Sequence, residues 1–253
     1  MSSRMSAETA LLAVSHGTSS PAGAAAVAAL VDAVRDRRAA DGVAGQVAGG
    51  FVDVQQPDVP TSLAALDAVG PGGPPVVVVP LLLAAGYHVH VDLRDDVDAA
   101  RSAGADVRLA GALGPDGRLV DVLVRRLGEA GLRDDDHVVL AAAGSSDARA
   151  LGDCETVAAA LRERLGDRPG SGRVTLAYVS AARPRVPDAV AAARSRGGRV
   201  VVAPFLLAPG YFADLVAAAG GDVTAAPLLV AGGAVPDELV EIVMDRFASF
   251  VAA

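Results

Sequence analysis

The second half of this chain repeats the first, and that repeat limits the folds open to it more than any other feature. Gly17 and Gly144, Phe51 and Tyr178, Pro57 and Pro184, and Pro60 and Pro187 form four pairs, each 127 residues apart. Farther on, Pro80-Leu81-Leu82-Leu83 matches Pro204-Phe205-Leu206-Leu207, and Gly86-Tyr87 matches Gly210-Tyr211, at a spacing of 124. Four shared offsets followed by a three-residue deletion mark a tandem duplication. The chain of 253 residues is therefore read as two lobes built on one plan. The polar stretch 128–136 divides them, giving an N-terminal lobe at 1–130 and a C-terminal lobe at 131–253.

Inside each copy, short aliphatic runs alternate with Ala-rich stretches of helical character. The runs at 11–15, 47–54, 76–83 and 107–109 read as strands, and 22–38, 61–69, 93–103 and 117–128 as helices. The second copy follows with strands at 138–142, 174–180, 200–207 and 225–230 and a last helix at 236–250. Such alternation specifies βαβ units and parallel sheets, so the fold class is α/β.

Composition narrows the function classes. Hydrophobic residues make up 52% of the chain, enough for a packed core, but aromatics are 3% and Trp is absent, leaving little to stack on nucleic-acid bases. A net charge of −8 repels a phosphate backbone. The single cysteine, Cys154, excludes an internal disulfide and a thiolate metal cluster, which suits a reducing cytoplasm. The strongest apolar stretch, 76–87, is cut by Pro80 and Gly86 and is too short to span a membrane, and the apolar run near the start of the chain is too short for a signal-peptide core.

Polar residues at strand ends carry the candidate chemistry. His16 follows the first strand and precedes Gly17-Thr18-Ser19, His88 follows Gly86-Tyr87 after the third, and Asp53 ends the second. In an open parallel sheet the ligand crevice lies beyond the carboxyl ends of the strands, so two imidazoles and a carboxylate converge there. This set suits a divalent metal such as Fe²⁺, Co²⁺ or Ni²⁺. It equally suits proton removal near neutral pH, since histidine ordinarily titrates near 6.5. The duplication supplies an internal control: the equivalents of His16, Asp53 and His88 are Ala143, Ser180 and Phe212, while the Gly, Pro and Leu framework is kept. A trio needed for folding would be needed in both copies. His90 is a secondary candidate, on His88's side of an extended segment but about 200° away on a helix. His137, amid Asp134-Asp135-Asp136, reads as a solvated linker residue.

At these residues the sequence resembles the sirohydrochlorin chelatases, a family of ATP-independent tetrapyrrole chelatases. The motifs are Ser15-His16-Gly17-Thr18, Gly50-Phe51-Val52-Asp53 followed by Pro57 and Pro60, and Pro80-Leu81-Leu82-Leu83-Ala84-Ala85-Gly86-Tyr87-His88-Val89 with Asp92-Leu93. The resemblance implies two flavodoxin-like lobes facing a cleft, with Fe²⁺ or Co²⁺ inserted into sirohydrochlorin for sirohaem or cobalamin synthesis. It implies that His16 and His88 bind the metal and take pyrrole protons. The family's acidic position, usually Glu, is Asp53, one methylene shorter. Beyond the substrate metal no cofactor is implied, and no nucleotide loop of the G-x-x-x-x-G-K-[ST] type is present. Short members act as homodimers of one lobe, so the fused chain is expected to be a pseudo-symmetric monomer. Because the substrate bears many carboxylates, Arg183 and Arg185, flanking Pro184, are candidate substrate-binding cations. Two other readings use the same residues: a non-catalytic metal or tetrapyrrole carrier, and a metal-free α/β enzyme with His16 and Asp53 as an acid–base pair.

Overall fold

The computed structural model describes residues 9–84, 87–166 and 173–251, with 87–90 and 251 as backbone only. The first repeat runs β1 (Ala10–Ser15), α1 (Pro21–Ala40), β2 (Val47–Phe51), α2 (Val59–Ala65), β3 (Val76–Pro80), α3 (Tyr87–Ser102), β4 (Val107–Leu109) and α4 (Gly117–Glu129). The second runs β5 (His137–Ala142), α5 (Ala148–Arg164), β6 (Val174–Tyr178), α6 (Val186–Arg194), β7 (Val200–Phe205), α7 (Tyr211–Ala217), β8 (Val223–Thr224) and α8 (Asp237–Val251). All strand pairs are parallel, in two sheets ordered β2-β1-β3-β4 and β6-β5-β7-β8. The register repeats as well. Leu11 lies beside Val47 and Val138 beside Val174, while Ala10 lies beside Val76 and His137 beside Val200.

Valine-rich strands such as Val76-Val77-Val78-Val79 are buried along their length because helices cover both faces of each sheet. On the outer face of the first sheet Leu12, Val14 and Val78 meet Val59 and Leu63 of α2 and Leu93 and Val97 of α3. The outer face of the second sheet packs Val139 and Val202 on α6 and α7 in the same way. The inner faces share one continuous core, in which each buried Val or Leu contributes about 1.5–3 kcal/mol.

This shared core contains an exchange of helices. Helix α4, from the first repeat, packs on β7 of the second sheet, and α8, from the second repeat, packs on β3 of the first. Matching arginines secure the exchange. Arg126 of α4 donates to Leu228 O (2.9 Å), and Arg246 of α8 donates to Ala112 O (2.8 Å) and Leu113 O (2.9 Å). Arg125 and Glu238 add a two-pronged ion pair between the same two helices. Each repeat thus completes the other's sheet, and neither sheet is covered by its own repeat alone.

Several boundaries differ from the sequence reading. The strand expected at 47–54 stops at Phe51, because Phe51 N–H donates to Pro57 O (3.0 Å) and Val54 turns into the left-handed region (φ 67°). The second copy makes the same turn, with Tyr178 N–H donating to Pro184 O (2.9 Å) and Ala181 at φ 56°. Asp53 therefore lies beyond the strand it was expected to end. The run 225–230 is an irregular crossover toward α8 rather than a strand, tied to β7 and the residues after it by Ala225 N–H to Val202 O and Leu228 N–H to Leu206 O. His137 opens β5 and is half-buried, not a solvated linker residue. The helix expected at 93–103 begins at Tyr87, so positions 88 and 90 sit in its first turn. Among the described residues no helix is long and apolar enough to cross a membrane.

Candidate functional site

Both sheets present the carboxyl ends of their strands to a single cleft of about 630 Å³ between the lobes, a size that suits a small-molecule ligand. The first lobe contributes the loops after β1, β2 and β3, and the second the loops after β5 and β7 with Ser180 from the loop after β6. Cleft position follows from topology, since strand order reverses direction from the central strand at these edges. The lobes touch at its mouth: a Cβ at Gly23, in the first turn of α1, would overlap the carbonyl of Pro209. Only glycine permits that approach.

His16 lines the cleft and is exposed to it. Its backbone is held from two sides. Its carbonyl accepts from Asp53 N–H (3.1 Å), and Gly17 follows with φ 98°, where a Cβ would overlap the Asp53 carbonyl. The first β-loop is thereby clamped to the second. Ser15, buried beside it, also lines the cleft, and its buried hydroxyl oxygen has no hydrogen-bond partner among the described residues. Gln55 lines the cleft too, and its Oε1 accepts from Thr18 N–H (2.8 Å).

The other expected residues are placed as follows. Asp53 is exposed, does not line the cleft among the described residues, and its Oδ1 accepts from Val54 N–H (2.7 Å). His88 and His90 occupy the first turn of α3, just after the cleft-lining Leu81 to Ala84; their side chains lie outside the described residues. Two positions apart on a helix, they lie about 200° apart around its axis. Arg183 and Arg185 stand on the loop after β6, outside the lining. Arg183 is 84% exposed and lies 3.9 Å from Asp188.

Ser15 and Gln55 were not singled out as site residues from sequence, although a signal for both existed. Their equivalents in the second copy are Ala142 and Ala182, so they belong to the same class of diverged positions as His16. The result is a cleft with unlike walls: Ser15, His16 and Gln55 on one side face Ala142, Ala143, Leu206 and Phe212 on the other, while Thr18 keeps a hydroxyl counterpart in Ser145 and Ser180 adds another. Among the described residues lining it there is no Asp, Glu, Lys or Arg. The net charge of −8 is therefore carried elsewhere on the surface.

Cys154 of α5 forms part of the cleft floor. Burial, reinforced by the neighbouring Asp153 and Glu155, pushes its thiol up to about 11 from 9.0. Because the thiolate is the nucleophile, and its greater intrinsic reactivity only partly offsets its scarcity, this rise predicts alkylation at pH 8 about tenfold or more slower in the native protein than in the urea-unfolded chain. A thiol-reactive chromophore timed under both conditions checks it, and equal rates would contradict the buried placement.

Solved structures with the same architecture include SirB from Bacillus subtilis with Fe³⁺, at a TM-score of 0.73 and 22% identity over 97% of this chain and 96% of that one. SirB from Bacillus subtilis subspecies spizizenii in complex with cobalt gives 0.72 and 18% over the same shares. CbiX, described as the terminal enzyme for biosynthesis of siroheme in denitrifying bacteria, gives 0.61 and 21% over 93% and 98%. No curated protein sequence matches. The CbiX family model matches residues 10–130 and 137–216, most of both repeats, and the chain therefore belongs to the CbiX family.

Proposed function

We propose that this protein inserts a divalent metal, Fe²⁺ or Co²⁺, into sirohydrochlorin, in the cytoplasm and without a nucleotide, on the way to sirohaem or cobalamin. The observation that carries the reading is a cleft with His16 on one wall and no Asp, Glu, Lys or Arg among its described lining residues, in a chain of the CbiX family. Relatives of like fold, solved with Fe³⁺ and with cobalt, support it.

The chemistry follows from charge balance. Insertion replaces two pyrrole N–H protons by one dication, so the site needs bases beside a weakly held metal. His16, from the first lobe, takes one proton and offers an imidazole to the incoming ion; His88 has the same role from α3. Asp53 passes protons to solvent from its exposed position on the adjoining turn. A mostly apolar lining, with no carboxylate among its described residues, accepts the macrocycle plane and does not trap the dication. The rim carboxylates of the substrate extend beyond the cleft, where Arg183 and Arg185 meet them. The residues up to 130 supply the bases, and those from 131 supply a lobe without them. Both repeats lie in one chain, so a monomer suffices.

Anaerobic mixing of the purified protein with sirohydrochlorin and either Co²⁺ or Fe²⁺ tests this, with metallation followed by absorbance. The expected result is a rate well above a protein-free blank that His88→Ala abolishes. Binding of the macrocycle with no acceleration over the blank would replace the enzyme by a carrier.

A further inference from the structure

The second lobe does not simply lack what the first lobe has; at one position it carries something different. Gly210-Tyr211-Phe212 matches Gly86-Tyr87-His88, so Phe212 stands where the first copy has a histidine. In this second copy both rings are open to solvent, Tyr211 at 69% and Phe212 at 36% exposure, and both line the cleft. Their centroids are 6.1 Å apart and their planes tilted by 46°, a contact within the range of favourable aromatic pairs. Leu215, 41% exposed, follows one turn along α7, and Val54 of the first lobe, also exposed, lines the same cleft. Aromatic residues are only 3% of this chain, and leaving two adjacent ones in water forgoes the burial that the rest of the sequence achieves. Exposed apolar surface gathered at a cleft, and not scattered, marks a surface that a ligand covers.

We infer that Tyr211 and Phe212 form a platform for the flat face of the tetrapyrrole, so that the second lobe holds the macrocycle while the first lobe alone supplies bases and metal. This rests on the chelatase reading and adds a division of labour to it. The same scaffold, with imidazole in one copy and phenyl in the other, makes a cleft in which metal enters from the first-lobe side. A flat, apolar, conjugated ring is what two adjacent aromatic side chains recognise. The alanines at 142 and 143 leave room beside them where Ser15 and His16 stand in the first copy.

Fluorescence titration with metal-free sirohydrochlorin, alongside steady-state metallation with Co²⁺, tests the platform. Phe212→Ala is expected to raise both Kd and KM for the macrocycle by about tenfold or more, with kcat nearly unchanged and the thermal midpoint kept, because the ring is not part of a core. Tyr211→Ala shifts Kd in the same direction, and Phe212→Tyr restores tight binding. Wild-type affinity in both alanine variants would overturn the inference while leaving the chelatase reading intact. Sedimentation separates a further case: a dimeric wild type and a monomeric Phe212→Ala variant with unchanged macrocycle affinity would assign the patch to self-association. If the wild type neither binds nor metallates sirohydrochlorin, the underlying reading fails and the platform with it.

Discussion

His16→Ala is expected to slow metallation by about a hundredfold to ten-thousandfold, the range for removing a positioned base, while metal-free macrocycle still binds. The two readouts separate chemistry from fit, since His16 is exposed in the cleft and its loss opens no cavity in a core. The backbone at residue 16 should hold its place without the imidazole, because the carbonyl bond to Asp53 N–H and the turn at Gly17 do not involve the side chain. The second copy demonstrates this: Ala143 occupies the equivalent position, and its carbonyl accepts from Ser180 N–H at 2.9 Å in the same loop geometry. Loss of macrocycle binding together with turnover in His16→Ala would instead point to a carrier, in which His16 holds the ligand.

Gly144→Ala carries the largest expected effect on stability. Gly144 adopts φ 91°, and a Cβ there would overlap the carbonyl oxygen of Ser180, so the β5 and β6 loops must separate. The expected cost is about 3 kcal/mol, or roughly 6–12 °C in Tm for a domain of this size. Gly152→Ala is the control, because Gly152 sits within α5 with open space where a Cβ would go. There alanine should stabilise by about 0.5–1 kcal/mol through helix propensity. Thermal unfolding followed by circular dichroism compares the two. Shifts of equal size and sign would mean that the loop clamp has no special role. Gly144 lines the cleft, so the comparison is made on thermal unfolding, which reads the loop clamp without recourse to activity.

These two predictions use the repeat in opposite senses. Positions kept in both copies, such as Gly17 and Gly144, turn out to be required by backbone geometry. Positions that differ, such as His16 and Ala143, sit in matching loops with the same backbone hydrogen bond and differ in what they show the cleft. A duplicated chain thus separates folding from function without any second protein for comparison.

The repeated α/β plan, the parallel strands and the edge at which His16 stands are all legible in the sequence. Those features are written in local periodicity and in glycines and prolines that act on their own backbone. Only the tertiary structure decided which sheet each terminal helix covers. Helices α4 and α8 each carry an apolar stripe, but a stripe specifies that a face is buried and not against what, and the inner faces of the two sheets offer nearly the same Val and Leu surface. It also decided that Asp53 and Arg183 stand outside the cleft, because Val54 and Ala181 enter left-handed turns that no glycine announces. The lack of Asp, Glu, Lys and Arg among the described lining residues, the Ser15 hydroxyl unpartnered among them, and the exposed rings of Tyr211 and Phe212 emerged the same way. The lining depends on distant segments meeting across two lobes, and the burial of Ser15 and the exposure of the neighbouring rings at 211 and 212 depend on what packs beside them; local order along the chain records neither.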